Sequence, residues 1–232
     1  MKDQYVGDIN DFCKYALLRA MSAVHDGRLV VAWMLTPPDG RSDGGQIAYL
    51  KRPERFRTVD PDLFDGLAEQ LTSRTRSVAA IEATGILAGA SFHSTPLPDA
   101  AAERHSWFAE LTENLQPRDL VFLDPDNGLA VPSVPVGRRH SAKYLYWGEL
   151  ETVLADGRSA CIYQHFPRRE RVAFVRELRD RIEALIPGIA TGAVGSPRVA
   201  FILAAPPSDL RRLMGAAVRV TERLPGLLRT LS

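Results

Sequence analysis

The sequence predicts an α/β protein with a mostly parallel sheet, helices on both faces and an antiparallel hairpin near the C-terminus. Three observations predict it. Short apolar runs at about 28–35, 119–124 and 158–164 are each bounded by turn residues, the signature of buried strands. Segments with helical spacing separate them, and alternation of the two patterns favours parallel strands with crossover helices. Near the end, the apolar stretches 189–194 and 198–204 flank Gly195-Ser196-Pro197, which reads as a hairpin.

Taken in order, F-C-K-Y-A-L-L-R-A-M from Phe12 is amphipathic, and Asn10 or Asp11 is a natural helix cap before it. R-L-V-V-A-W-M-L from Arg28 is the first strand, and T-P-P-D-G-R-S-D-G-G after it is loop chemistry throughout. A helix is expected over 61–74, opened by Pro61. V-A-A-I-E at 78–82 fits helix or strand, A-S-F-H-S-T at 90–95 is a weak strand, and 99–115 is a further helix. Leu120 to Leu123 is a second strand. A Pro-rich loop follows it, then a helix over 141–155 and the strand S-A-C-I-Y-Q from Ser159. Pro167 is expected to open an amphipathic helix that ends near Pro187 and buries Val172, Val175, Leu178, Ile182 and Leu185. A last helix over about 208–222 takes Ser208 or Asp209 as its cap. The whole, 1–232, reads as one α/β domain, with 55–115 as a partly helical insertion.

Twenty-nine Lys and Arg stand against 28 Asp and Glu, a net charge of +1, so no global field draws the chain to nucleic acid or an acidic membrane. The isolated pair Cys13 and Cys161 makes neither a disulfide framework nor a zinc cluster, and reduced thiols in the cytoplasm are the simplest reading. The chain opens on Met1-Lys2-Asp3-Gln4 without an apolar leader, and no apolar run approaches the roughly 20 residues of a membrane span.

The stretch L-V-F-L-D-P-D-N-G, residues 120–128, carries the chemistry. A buried strand ends on Asp124, and Pro125, Asp126, Asn127 and Gly128 follow at once. Ligands of open α/β sheets bind beyond the carboxyl ends of the strands. The plain alternative is a turn, since these are turn residues. By the same plain reading Asp8 and Asp11 cap a helix, Lys14 is a solvated charge, and the arginines between 168 and 181 form one solvated helix face paired with Glu170, Glu177, Asp180 and Glu183. Lys143, Tyr144, Tyr146 and Trp147 lie near the expected mouth, as do Gln164-His165-Phe166. An apolar strand followed by Asp124-x-Asp126 also opens the motif of magnesium-dependent phosphotransfer, in which the first acid attacks phosphorus and the second is an acid/base.

Two motifs together resemble one family. Gly7-Asp8-Ile9-Asn10-Asp11-Phe12-Cys13-Lys14-Tyr15 resembles the N-terminal motif of the RlmJ-type methyltransferases, and Asp124-Pro125-Asp126-Asn127 falls where that family carries Asp-Pro-Pro-Tyr. The family modifies an adenine exocyclic amine in large-subunit ribosomal RNA. The resemblance implies a Rossmann-like methyltransferase fold and S-adenosylmethionine as cofactor. It implies a cofactor site around Gly7, Asp8, Asp11, Lys14 and Tyr15, with Lys14 near the methionine part, and Asp39 and Gly40 of the loop after the first strand. Asp124, with Pro125, Asp126 and Asn127, would receive the target amine, in a nucleic acid or a small-molecule acceptor. The chain departs from the pattern in having Asp126 for the second proline and Asn127 for the aromatic, and in the two prolines of its stretched glycine loop. Glu82 is the candidate acid for the ribose hydroxyls. Two alternatives stand beside this reading: a non-catalytic binding protein of the same fold, and the magnesium-dependent phosphohydrolase built on Asp124 and Asp126.

Overall fold

The computed structural model describes residues 1–37, 45–72 and 76–231. Its centre is a seven-stranded sheet made of β1 (Leu29–Ala32), β2 (Ser91–His93), β3 (Leu120–Leu123), β6 (Ser159–His165), β7 (Ala190–Gly195), β8 (Val199–Ala205) and β9 (Arg229–Thr230). Two more strands, β4 (Gly128–Leu129) and β5 (Tyr144–Leu145), pair in parallel as a small separate ladder. The helices are α1 (Ile9–Ser22), α2 (Pro53–Phe56), α3 (Pro61–Thr72), α4 (Val78–Ala83), α5 (Ala101–Glu113), α6 (Trp147–Leu154), α7 (Arg171–Leu185) and α8 (Pro207–Arg223).

The sheet order is β2-β1-β3-β6-β8-β7-β9. β2, β1, β3 and β6 are parallel, whereas β8 pairs antiparallel with both β6 and β7. The hairpin therefore folds back so that its second strand, not its first, joins the parallel strands. The architecture is α/β with a mostly parallel mixed sheet between helices, compatible with a Rossmann-like fold. Every residue of β1, β3 and β8 is buried, which explains their unbroken apolar runs. One face of the sheet packs against α1, α3, α4 and α8 through Phe12, Leu17, Leu63, Ile81, Phe122, Phe201 and Leu213. The other packs against α5, α6 and α7 through Trp107, Leu111, Val121, Leu150, Ile162, Val175 and Ile182. Residues 55–115 supply an edge strand and helices to both layers.

The chain runs from β1 outward to β2 and then returns to β3 on the opposite side of β1. Adjacent connections thus diverge between β1 and β3, and such a switch point opens a crevice at the strands' carboxyl ends.

Four local expectations differ from the structure. α1 is capped by Asp8, whose carboxylate accepts from the backbone N–H of Asn10 at 2.8 Å and Asp11 at 3.0 Å, and this leaves Asp11 free to turn inward. The helix expected over 141–155 is interrupted. Asn127 N–H donates to the Lys143 carbonyl and Ala130 N–H to that of Leu145, both at 2.8 Å, so Tyr144-Leu145 is drawn out as a strand and α6 begins only at Trp147. The aromatic-rich K-Y-L-Y-W favours that outcome. α7 starts at Arg171 rather than Pro167, because Glu170 caps Val172 and Ala173 while Phe166 N–H is still held by the Arg198 carbonyl. On its inward face Val175 and Ile182 are buried, whereas Val172, Leu178 and Leu185 are half-buried. α8 has no side-chain cap: Pro207 occupies its first turn, and Asp209 pairs with Arg212 at 2.7 Å.

Candidate functional site

A cleft of about 380 Å³ opens beyond the carboxyl ends of β3 and β6, with Met1 and the start of α1 on its wall. α1 reaches it from one layer with Asp8, Asn10, Asp11 and Lys14; the turn after β3 brings Asp124, Pro125, Asp126 and Asn127; β6 brings Tyr163 and His165. Two motifs 110 residues apart meet here: Lys14 Nζ lies 2.8 Å from Asp124 Oδ2 and 2.9 Å from Asp11 Oδ1. Lys14, Asp11 and Asp124 are each 2% exposed. Buried charges persist only when paired and hydrogen-bonded, and this lysine is shared by two carboxylates.

Aromatic rings complete its cage. Nζ stands 4.9 Å from the Tyr163 ring centroid and 5.9 Å from those of Tyr15, Trp33 and Phe122. Burial opposes the ammonium charge, but Asp11 and Asp124 outweigh it and hold Lys14 well above the ordinary lysine value. Burial also drives Asp11 up, from 3.8 to about 6, and Lys14 only partly offsets this. Asp11 accepts from Gly7 N–H at 3.0 Å and from the Tyr15 hydroxyl at 3.2 Å through its other oxygen. Gly7 and Tyr15 therefore act behind the cleft wall: Gly7 turns the chain at φ 78°, and Tyr15 packs in the core against Trp33.

A raised carboxyl pKa has a definite sign. Folding takes up a proton at Asp11 between about pH 4 and 6, where the folded chain holds a proton that the unfolded chain has lost. The stabilisation this group provides is full below about pH 4 and falls as pH rises to 6. A carboxyl titration followed by NMR should place Asp11 near 6, and Asp11→Asn should flatten the unfolding free energy over that interval. A midpoint near 4 would refute the assignment.

The leading residues fill the crevice itself. The Met1 amino group donates to the carbonyls of Trp33 at 3.1 Å, Met34 at 3.4 Å and Asp124 at 3.0 Å, and lies 3.2 Å from Asp126 Oδ1. Its thioether sulfur is 3.6 Å from Lys14 Nζ. Met34, just past β1, adopts φ 47°, a conformation costly for a non-glycine residue, and it aims its carbonyl at that amine. Asp126 binds on both oxygens, with Thr36 Oγ1 at 2.6 Å and Lys2 Nζ at 3.3 Å on Oδ2. Burial would raise its pKa, but the Met1 amino group, Thr36 and Lys2 hold it below the ordinary range. By contrast, Oδ1 of Asp124 takes no hydrogen bond from the described residues.

The turn is held from beneath by Gln164, which is 3% exposed. Its Oε1 accepts from Leu129 N–H at 2.8 Å, and its Nε2 donates to the Asn127 carbonyl at 3.1 Å and the His165 carbonyl at 2.8 Å. Asn127 and Lys143 edge the cleft side by side. Lys143 is placed by a buried arginine: Arg104 binds Glu149 at 2.6 Å and the carbonyls of Ser141 at 3.1 Å and Tyr144 at 2.6 Å.

Of the residues singled out from sequence, Asp8, Asp11, Lys14, Asp124, Pro125, Asp126 and Asn127 line the cleft, and Gly7 and Tyr15 support it. Asp39 and Gly40 lie outside the described residues. Glu82 does not line the cleft; it lies past the ends of β1 and β2, where it accepts from Trp33 Nε1 at 2.8 Å and from the Ser94 hydroxyl. His165 and Lys143, expected near the mouth, line the cleft, and Gln164 supports its turn; sequence reasoning missed Lys2, Tyr163 and Arg198 as cleft residues and Arg104 as a support. The only signal was position, since Tyr163 lies near the end of a buried strand. Among the described residues, no cluster of His, Cys, Asp and Glu is arranged to hold a metal ion, and no helix is long and apolar enough to cross a membrane. No protein-family model matches the chain, and no curated protein matches it significantly.

Proposed function

We propose that this protein is a divergent S-adenosylmethionine-dependent methyltransferase acting on an amine. The observation that carries the reading is the meeting of Lys14 and Asp124 at the switch point, with Oδ1 of Asp124 left to accept. The cleft also suits a methionyl group. A methionine amine already sits there, held on three carbonyls and a carboxylate, contacts that would also receive the cofactor's amino group. Asp8, Asp11 and Lys14 would hold the cofactor, and Met1 would give way to it. When bound, the cofactor supplies an electrophilic methyl group.

The chain's part is to prepare the acceptor. An exocyclic amine is a weak nucleophile because its lone pair is delocalised into the ring. Asp124 Oδ1 accepts one of its protons in a hydrogen bond and localises that lone pair, while the fixed turn sets the line of attack. Lys14 holds the Asp124 carboxylate in place through their 2.8 Å ion pair. Asn127, beside it, both donates and accepts, so it suits a polar acceptor edge.

Titration with S-adenosylhomocysteine tests the reading, since a ligand specific to the fold stabilises it by about 2.7 kcal/mol at a hundredfold excess over Kd. Asp124→Asn should keep that binding and lower methyl transfer about a hundredfold or more. Absence of any stabilisation by the cofactor or its product would overturn the proposal.

A further inference from the structure

Beside the cleft lies a second, open hollow of about 750 Å³, walled by residues 165–171 between β6 and α7 and by Pro197-Arg198 of the β7–β8 turn. Arg168, Arg169, Arg171 and Arg198 line it, and His165 and Arg198 line the cleft as well, so the two spaces share a wall. Four arginines elsewhere each hold a carboxylate: Arg19 with Asp60, Arg28 with Asp119, Arg104 with Glu149 and Arg212 with Asp209.

Here the balance differs. Arg169 pairs with Glu177 at 2.5 Å, and Arg171 lies over the Phe166 ring at 5.6 Å. Glu170 spends its carboxylate on the first N–H groups of α7. Arg168 and Arg198 are exposed and form no ion pair among the described residues, and the same holds for Lys143 on the adjoining cleft wall apart from its partial burial. In a chain of net charge +1, uncompensated cations gathered at one mouth mark a place for an anion. Arginine forks match phosphate oxygens, and a phosphate monoester carries close to two negative charges at neutral pH.

We propose that Arg168 and Arg198 bind a phosphate group on the molecule whose reactive end enters the cleft, and that this molecule is a small phosphorylated compound. The inference rests on the cleft being the acceptor site. A polynucleotide would need cations in a continuous track. The cations of this hollow do not run on into a track, because along α7 the following arginines alternate with Glu177, Asp180 and Glu183.

Binding of inorganic phosphate, AMP and a twelve-nucleotide single-stranded RNA to the full chain, measured by calorimetry, tests this. AMP and phosphate should bind saturably. Arg168→Glu combined with Arg198→Glu should weaken both about tenfold or more, with the melting temperature unchanged. The remote pair Arg57→Glu and Arg229→Glu should have no effect. Phosphate binding without S-adenosylhomocysteine binding would uphold the hollow and overturn the methyl-transfer reading. Equal loss in the remote pair, no phosphate or AMP binding in the unaltered chain, or RNA binding that strengthens with length and that AMP cannot compete, would overturn the proposal.

Discussion

Lys14→Met should destabilise the fold by about 3–5 kcal/mol, the range for removing one partner of a buried ion pair. Methionine fills the space of the lysine stem, so the loss is electrostatic rather than a cavity. It leaves Asp11 and Asp124, each 2% exposed, facing each other without a cation. Burial already lifts Asp11 to about 6 with Lys14 present. Without it, one of the two carboxyls must take up a proton, and the folded chain should gain stability as the pH is lowered towards 5. Chemical denaturation at pH 7 and pH 5 measures both effects. The triple variant Asp11→Asn, Lys14→Met, Asp124→Asn should recover much of the loss, because an uncharged cluster has no orphaned charge. A Lys14→Met loss below about 1 kcal/mol would show that the triad is solvated and that the buried geometry is wrong.

Gly128→Ala should cost about 3 kcal/mol or more and displace the acceptor turn. The residue has φ 108°, which an L side chain adopts only under strain of about 1–3 kcal/mol. A Cβ there would also lie 2.3 Å from the Gln164 carboxamide. That group is at the end of a flexible side chain, but three hydrogen bonds pin it, and two of them run to the turn itself. Moving it forfeits bonds worth about 1 kcal/mol each. In a Gln164→Ala background the same substitution should cost only the backbone strain, so a double-mutant cycle separates the two causes. If Gly128→Ala costs the same with and without Gln164, then Gln164 does not clamp the turn.

The strands and most helices were legible because their cause is local. Leu29–Ala32, Leu120–Leu123 and Val199–Ala205 are apolar on every residue because both faces of the sheet are covered, and that periodicity is written in the chain. Asp124 was legible as a candidate because a buried strand ended on it. The helix over 141–155 failed for the opposite reason: Tyr144-Leu145 is a strand only because the 127–130 backbone offers it a ladder. Asp8, Asn10 and Asp11 all suit a cap, and spacing alone did not choose among them; the pull of Lys14 on Asp11 did.

By itself, then, the sequence determined the α/β class, the C-terminal hairpin and the two motifs, since hydrophobic period and turn chemistry act over a few residues. Only the tertiary structure decided that Lys14 bridges Asp11 and Asp124, that Met1 enters the crevice, and that Gln164 and Arg104 hold the cleft's walls. Each of these depends on burial. A lysine looks the same in a sequence whether water or two carboxylates surround it, and the difference arises when chain crossings between β1 and β3 remove the water.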